Sequence, residues 1–290
     1  MPARQPFTAL CRAASVPPAH GRADLHVHTT HSDGSYSPEE IVDLARRSGL
    51  AAIAITDHDT LDGIPIAWKA AGNQVEVIAG VEITAEYRER EFHLLGYFVQ
   101  LDHEPLRAAL GRLRDHRVAR FWDMVDRLRE VGVEMAEDSL RKQAGPGVLG
   151  RRNLAVILMQ AGKVGSVREA FSRYLQDGGR VSLPKVRLPI QEAIGLVRAA
   201  GGVAAWAHPA NNCHRESLTE LSTWGMGALE AEYPTHRTSR GRELRALAGQ
   251  FGLAITGGSD CHGPEPLGRT VGACSITSEE LATLRRRSLQ

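Results

Sequence analysis

Ala23-Asp24-Leu25-His26-Val27-His28, followed by Ser32-Asp33-Gly34, is the stretch on which the fold turns. Polar and apolar residues alternate with the period of a strand, and alternate strand positions project from one face, so His26 and His28 lie a few Å apart on the same side. Two imidazoles with a carboxylate just beyond them outline a metal site. Similar short islands recur far along the chain: Thr56-Asp57-His58-Asp59, Gly80-Val81-Glu82, His93, Ala207-His208-Pro209 and Gly258-Ser259-Asp260-Cys261-His262-Gly263.

Between the islands, Ala51 to Thr56, Val75 to Val81, Glu91 to Val99, Gly202 to Ala207, Ala228 to Glu232 and Leu253 to Gly257 read as short buried strands. Pro38 opens a helix running to Arg47, and Asp62 to Ala71 supplies the next. This alternation predicts βα units around a parallel sheet. Each island falls at or just after the C-terminal end of a predicted strand, the edge at which βα barrels assemble their sites. From Leu106 to Tyr174 the periodicity is helical instead, with Leu110, Leu113, Val118, Phe121, Val125 and Leu128 spaced for one face. Gly145-Pro146-Gly147 punctuates that stretch, and βα alternation resumes after Pro184. The expected organisation is an α/β chain: a metal-binding βα barrel over residues 22–102 and 186–290, interrupted by an all-helical insertion over 103–185. Residues 1–21, with Pro2, Pro6, Pro17 and Pro18 and no periodicity, are expected to form a mobile leader.

With 290 residues, 42% of them hydrophobic, the chain is long enough to bury a substantial core. The net charge of +1 hides an asymmetry: residues 103–185 hold 16 Lys+Arg against 10 Asp+Glu, leaving 19 against 24 elsewhere. An acidic barrel suits cations, and a basic neighbour suits a phosphorylated ligand. Cys11, Cys213, Cys261 and Cys274 form no C-x-x-C pair, which argues against a thiolate metal site or a disulfide framework and favours a reduced, cytoplasmic protein. No apolar run reaches a membrane span, and no duplex-reading or sequence-specific nucleic-acid motif appears.

Six of the twelve histidines (His26, His28, His58, His93, His208, His262) lie in the islands with Asp33, Glu82 and Asp260. Nine N and O donors without a compelling sulfur describe a site for Zn, Mn or Fe, and they exceed what one tetrahedral ion takes. Two or three divalent ions sharing a bridging carboxylate such as Glu82 would use them all. Such a cluster lowers the pKa of bound water and clamps phosphoryl oxygens, so phosphoester hydrolysis is the reaction it suits best. Asp57 and Asp59 are expected to orient the His58 imidazole.

The set D-L-H-x-H, S-D-G, T-D-H-D, G-x-E, H-x-x-G-Y, A-H-P and G-S-D-x-H-G resembles the PHP (polymerase and histidinol phosphatase) superfamily, over about Arg22 to Gly268. Within it, the helical insertion and the run from Arg173 to Ala204 are similar to the bacterial 3′,5′-nucleotide bisphosphate phosphatase and 5′-to-3′ exoribonuclease group, the ribonuclease AM group. The resemblance implies a distorted seven-stranded βα barrel with a trinuclear centre, usually manganese. It further implies that His26, His28, Glu82 and Asp260 hold one ion, that Glu82 bridges to a second held by His93 and His208, and that Asp33, His58 and His262 hold the third. Hydroxide on the ions, held by Glu82, Asp260 and His208, would be the attacking group. The substrate implied is a small nucleotide or the 5′ end of a short single-stranded RNA.

On the substrate side the chain departs from that group. Where the group carries a G-R-P-H-type motif, this sequence reads Gly150-Arg151-Arg152-Asn153, and Ala210-Asn211-Asn212 stands where an Arg commonly follows A-H-P. Arg151, Arg152, Asn153, Lys185 and His236 are the candidate substrate contacts, Arg for bidentate grip on phosphate and Lys as a point charge. Two other readings fit the same cluster: a histidinol-phosphate phosphatase, and a catalytically degenerate metal-binding regulatory module.

Overall fold

The computed structural model describes residues 21–137, 140, 147, 149–209, 213–264 and 267–288; all but the last residue of the expected leader, most of the Gly145-Pro146-Gly147 punctuation, and Ala210 to Asn212 lie outside them. The strands are β1 (Arg22–Val27), β2 (Leu50–Ile55), β3 (Glu76–Tyr87), β4 (Arg90–Tyr97), β5 (Leu188–Pro189), β6 (Val203–Trp206), β7 (Ala228–Glu232), β8 (Ala254–Gly257) and β9 (Ile276–Thr277). They form one sheet in the order β8-β7-β6-β4-β3-β2-β1-β9, with β5 paired to β3.

The sheet curls until its ends meet. Beyond β8, Asp260 N donates to His26 O at 2.8 Å and His28 N to Cys261 O at 3.0 Å, so the seven longer strands make a nearly closed, distorted barrel. The buried Asp24 carboxylate locks the seam, accepting from Ser259 N and Gly272 N at 2.8 Å each. Gly258 permits the approach, because a Cβ there would sit 2.3 Å from His26 N. Aliphatic side chains fill the inside: Leu25, Ala54, Ile78, Leu95, Ala205, Ala228 and Ala254, one from each of the seven strands, belong to one cluster.

Helices α1 (Pro38–Arg47) and α2 (Ile64–Ala71) cover the β2 and β3 side. Ser37 and Glu40 cap α1 reciprocally, with Pro38 at its first turn, as a Ser-Pro-x-Glu start dictates. Ile53 and Ile55 bury fully against this layer, worth about 1.5–3 kcal/mol each.

Two expectations are corrected. β3 does not stop at Val81; it runs on to Tyr87 and turns at Arg88 and Glu89, both with positive φ (51° and 63°), into an antiparallel hairpin with β4. Ile83 and Ala85 are buried on that extension, which is what keeps it in the sheet. β4 therefore runs antiparallel to both its neighbours. His93 reaches the barrel mouth from near the start of its strand, not from the end, and Glu82 lies inside β3.

The second concerns α3 (Glu104–Glu130), 27 residues long. Its expected single face is divided between two cores: Leu106, Leu110 and Leu113 pack with the barrel, whereas Phe121, Met124, Val125 and Leu128 join a separate cluster with Leu154, Ile157, Leu158 and Leu175. Val118 is only half-buried, and Arg117 and Arg120 occupy the changeover. The rest of this layer is α4 (Arg151–Gln160), α5 (Val167–Ala170) and a π-helical turn, Phe171–Leu175. The βα pattern then resumes with β5, α6 (Ile190–Ala199), β6, α7 (Arg215–Thr223), β7, α8 (Thr238–Phe251), β8, β9 and α9 (Ser278–Ser288). No helix among the described residues is long and apolar enough to cross a membrane.

Candidate metal centre

Glu82 is the hub of the barrel mouth. Its Oε2 lies 3.3 Å from His26 Nε2 and 3.2 Å from both His28 Nε2 and His58 Nδ1; its Oε1 lies 2.7 Å from His93 Nδ1 and 3.0 Å from His208 Nε2. Asp260 Oδ1 lies 3.4, 3.3 and 3.4 Å from nitrogens of His26, His28 and His262. Asp33 Oδ1 lies 3.2 Å from His262 Nε2 and 3.9 Å from His28 Nδ1 and His58 Nε2. All nine side chains singled out in the sequence thus converge. Among the described residues, three sets have ligand atoms within 4.8 Å of one another: His26, His28 and Glu82; His58, Glu82 and His93; and His28, Asp33, His58 and His262. His58 straddles the sets, one ring nitrogen toward Glu82 and the other toward Asp33.

Unmade bonds show what the cluster is suited to hold. His26 Nε2, His28 Nε2, His58 Nδ1 and Asp33 Oδ1 are buried without a hydrogen-bond partner. Each such atom costs about 1–3 kcal/mol, and four in one place fit shared cations. The main chain is also held in uncommon conformations here: His208 has φ 31°, Asp260 φ 50° and Asp59 φ 53°. Left-handed backbone at a non-glycine residue is sustained only where surrounding contacts over-determine it.

Charge follows the same geometry. Burial pushes Glu82 up, but His58, His93 and His26 hold it well below the usual carboxylate range. Asp33 and Asp260 are likewise depressed against burial, by His262, His58 and His28 and by His26, His28 and His262 respectively. Burial lowers His28 and His93, yet the carboxylates outweigh it and raise them to about 10 and about 9. His58 goes the other way: burial dominates and keeps it well below its ordinary value.

Several supporting residues were not singled out in the sequence. Glu230 is fully buried, 2.9 Å from His26 Nδ1, and accepts from His208 N, so one carboxylate fixes two clustered histidines. An acid between Leu229 and Ala231 in a short buried strand was the available signal. Glu91 lies 2.9 Å from His93 Nε2, and Asp260 Oδ2 accepts from Tyr233 OH at 2.7 Å and Arg269 Nη1 at 2.6 Å. Asp57 and Asp59 do not orient an imidazole as expected. Asp57 accepts from Thr29 N, Thr29 Oγ1 and Ser32 Oγ, bracing the loop after β1; Asp59 accepts from Thr84 and from Arg117 Nε. Both carboxylates are taken up by hydroxyl, main-chain amide and guanidinium donors.

The candidate substrate contacts occupy the helical layer and the rim. Arg151, Arg152 and Asn153 open α4, all half-buried. Arg151 Nη1 donates to Leu175 O at 3.1 Å and pairs with Asp177. Asn153 accepts from Gly150 N at 2.7 Å and donates to Ser32 O at 3.2 Å, tying α4 to the loop that carries Asp33. Lys185 Nζ lies 2.5 Å from Glu91 Oε1. His236 packs on Tyr233 with ring centroids 5.2 Å apart, one ring removed from His208. Cys261, between Asp260 and His262, is buried in the core.

Comparison with known proteins agrees with this geometry. The PHP domain family matches residues 24–177. The chain is 33% identical over 249 residues to a 5′-3′ exoribonuclease of Haemophilus influenzae, covering 83% of this chain and 90% of that protein. It is 29% identical to a 3′,5′-nucleoside bisphosphate phosphatase of Chromobacterium violaceum, covering 86% and 90%. A crystal structure described as a metal-dependent phosphoesterase of Bifidobacterium adolescentis superposes with a TM-score of 0.85 at 29% identity, covering 93% of this chain and 97% of that one.

Proposed function

Because the chain belongs to the PHP domain family and is a metal-dependent phosphoesterase, we propose that it hydrolyses phosphate esters of a small nucleotide such as a 3′,5′-bisphosphate, or the 5′ end of a short single-stranded RNA. The observation that carries the reading is the convergence of five imidazoles on the two oxygens of Glu82, with four buried donor or acceptor atoms in the cluster lacking a hydrogen-bond partner.

In this reading His26, His28, Glu82 and Asp260 hold one ion, Glu82, His93 and His208 a second, and Asp33, His58 and His262 a third, with manganese the favoured metal. Bound divalent ions supply Lewis acidity to the phosphoryl oxygens and make water acidic near neutral pH. The protein's own work is orientation. Glu230 and Glu91 fix the ring planes of His26 and His93 from behind. Tyr233 and Arg269 grip Asp260 Oδ2, leaving its Oδ1 toward the histidines. Arg151, Arg152, Asn153, Lys185 and His236 line the approach to the mouth and orient the far side of the substrate.

A hydrolysis panel on manganese-loaded protein tests the assignment, comparing nucleoside bisphosphates, 5′-phosphorylated oligoribonucleotides, histidinol phosphate and an aryl phosphate. The expected result is chelator-sensitive turnover, fastest on the first two. Turnover of histidinol phosphate above both overturns the substrate assignment.

A further inference from the structure

The proposed ligands do not all reach the mouth in the same way. His26, Glu82 and His93 lie inside β1, β3 and β4, where pairing with neighbouring strands fixes their main chain. The groups that brace the cluster from behind, Glu230, Glu91, Tyr233 and Arg269, also come from the barrel. Asp33 and His58 instead stand on the loops after β1 and β2, with Asp33 Oδ1 and His58 Nε2 3.9 Å apart. Together with His28 and His262 they make one of the converging sets.

Each of these two loops is gripped by the helical layer. Asn153, in the first turn of α4, donates to Ser32 O at 3.2 Å while its Oδ1 accepts from Gly150 N at 2.7 Å. Both ends of the amide are engaged, so a flipped amide would set oxygen against oxygen. The Ser32 carbonyl belongs to the planar peptide that leads into Asp33, and fixing that plane fixes the direction in which the Asp33 side chain departs. Asp57 braces the same loop from the barrel side, but at Thr29 and the Ser32 hydroxyl. Gly147 marks how closely the layers approach, since a Cβ there would lie 2.5 Å from Thr30 O.

The second grip is Arg117, on α3 where the helix passes from one core to the other. Its Nε donates to Asp59 Oδ2 and its Nη2 to Thr84 Oγ1, both at 2.6 Å, and the Thr84 hydroxyl donates to Asp59 Oδ2 at 2.9 Å. The three side chains close a ring, with a charge-assisted bond in it. Asp59 follows His58 directly and has φ 53°, a conformation that its contacts must sustain. Thr84 and Arg117 also line a small cleft between the layers, with Arg120 and Lys185.

We propose that Asn153 and Arg117 are positioning residues for the third ion, so that docking of the helical layer sets the occupancy of that ion while the barrel holds the other two by itself. The proposal rests on the ligand grouping given above and deepens it.

Manganese titrated against a chelator into metal-stripped, full-length protein gives the stepwise affinities that test this. Asn153→Asp is the sharpest variant, because it keeps the bond from Gly150 N and suits the first turn of a helix but cannot donate to Ser32 O. Its added negative charge by itself favours cations, so a weaker site reports position. One of three sites should weaken about 10–100-fold, as for loss of a group that orients a ligand, with the other two within about twofold and the denaturant midpoint of metal-free protein unchanged. Arg117→Met should weaken the same site and Arg117→Lys recover part of it, since an ammonium meets Asp59 but lacks the fork that also reaches Thr84. Asp33→Asn identifies the site: combined with Asn153→Asp it should lose no more than it does alone. Equal weakening of all three sites, no weakening, a loss that adds to that of Asp33→Asn, or a wild-type protein that holds only two ions overturns the proposal. If wild-type protein holds three ions yet turns over no phosphoester, the functional reading fails by itself and the affinities still decide this one. Should Arg117→Met not fold, Asn153→Asp decides alone.

Discussion

In the barrel mouth, carboxylates crowd against imidazoles and four buried polar atoms lack a hydrogen-bond partner; where α3 crosses the rim a few residues away, guanidinium and ammonium groups crowd together and Arg120 pairs with no carboxylate among the described residues. The donor set of the mouth suits cations, and the cleft is lined by basic side chains. Neither arrangement arises from packing, since the barrel and the helical layer each have an apolar core of their own. The contrast teaches that one strand can front two opposite charge environments: on β3, Glu82 lies among the imidazoles and Thr84, two positions on, lines the basic cleft.

The mouth carries the largest predicted effect. Glu82→Gln removes the charge from the carboxylate that five imidazoles share, and several kcal/mol of ion-mediated charge stabilisation corresponds to a loss of about 10^3-fold in kcat at 1.36 kcal/mol per decade. Metal analysis of the same variant should show at least one ion fewer per chain. Full metal content with full activity would falsify the assignment of Glu82 as the hub.

Next in size is a change placed wholly in the helical core. Leu158 is fully buried there, and Leu158→Ala should cost about 2–5 kcal/mol of stability in denaturant unfolding. Metal content should stay at the wild-type level, because no proposed ligand belongs to that cluster. Loss of metal along with stability would mean that the continuous α3 couples the two cores, and the contrast between regions would have to be abandoned.

Glu230→Gln probes support within the mouth. The amide can still accept from His208 N, but it no longer offers charge to His26 Nδ1, so the ring loses its fixed orientation. Loss of such a partner typically lowers metal affinity by about 10–100-fold. Competition with a chelator reads this directly. Unchanged affinity would show that barrel packing alone orients His26.

How legible each region was in the sequence follows from the same difference. The nine clustered side chains were readable because metal ligation demands particular residue types in short motifs on neighbouring strand positions, as in His26-Val27-His28 and Asp260-Cys261-His262. The β3–β4 hairpin was not, because Glu86-Tyr87-Arg88-Glu89-Arg90-Glu91 is charged and has no Asn-Gly or Asp-Gly turn signal; the strands extend by pairing with each other, not through local propensity. Nothing in the sequence distinguishes Arg117 and Arg120 from the other arginines of the helical stretch. What buries them is the changeover between two cores along α3, and that depends on which tertiary neighbours meet each turn. Asp57 and Asp59 were expected to serve the adjacent imidazole, but their hydrogen-bond donors, Thr29, Ser32, Thr84 and Arg117, are distant in sequence and could not be read from the motif.

The smallest expected effect is a pH trend, which the mouth should show and the helical core should not. His28 and His93 are held at about 10 and about 9, burial pulling each down and the carboxylates Asp260 and Glu82 for His28, and Glu82 and Glu91 for His93, more than compensating. An unfolded imidazole titrates near 6.5, so in metal-free protein the folded state binds these protons more tightly. The stabilisation is fully present below about 6.5 and is lost as pH rises toward 9 and 10. Metal ions require the same nitrogens unprotonated, so protons compete with them over that interval. Thermal unfolding of stripped protein should therefore give a Tm that declines from pH 6.5 to 9.5, while the increment added by saturating manganese grows over the same range. An increment that shrinks as the rings deprotonate would mean that the ions are held elsewhere than on these histidines.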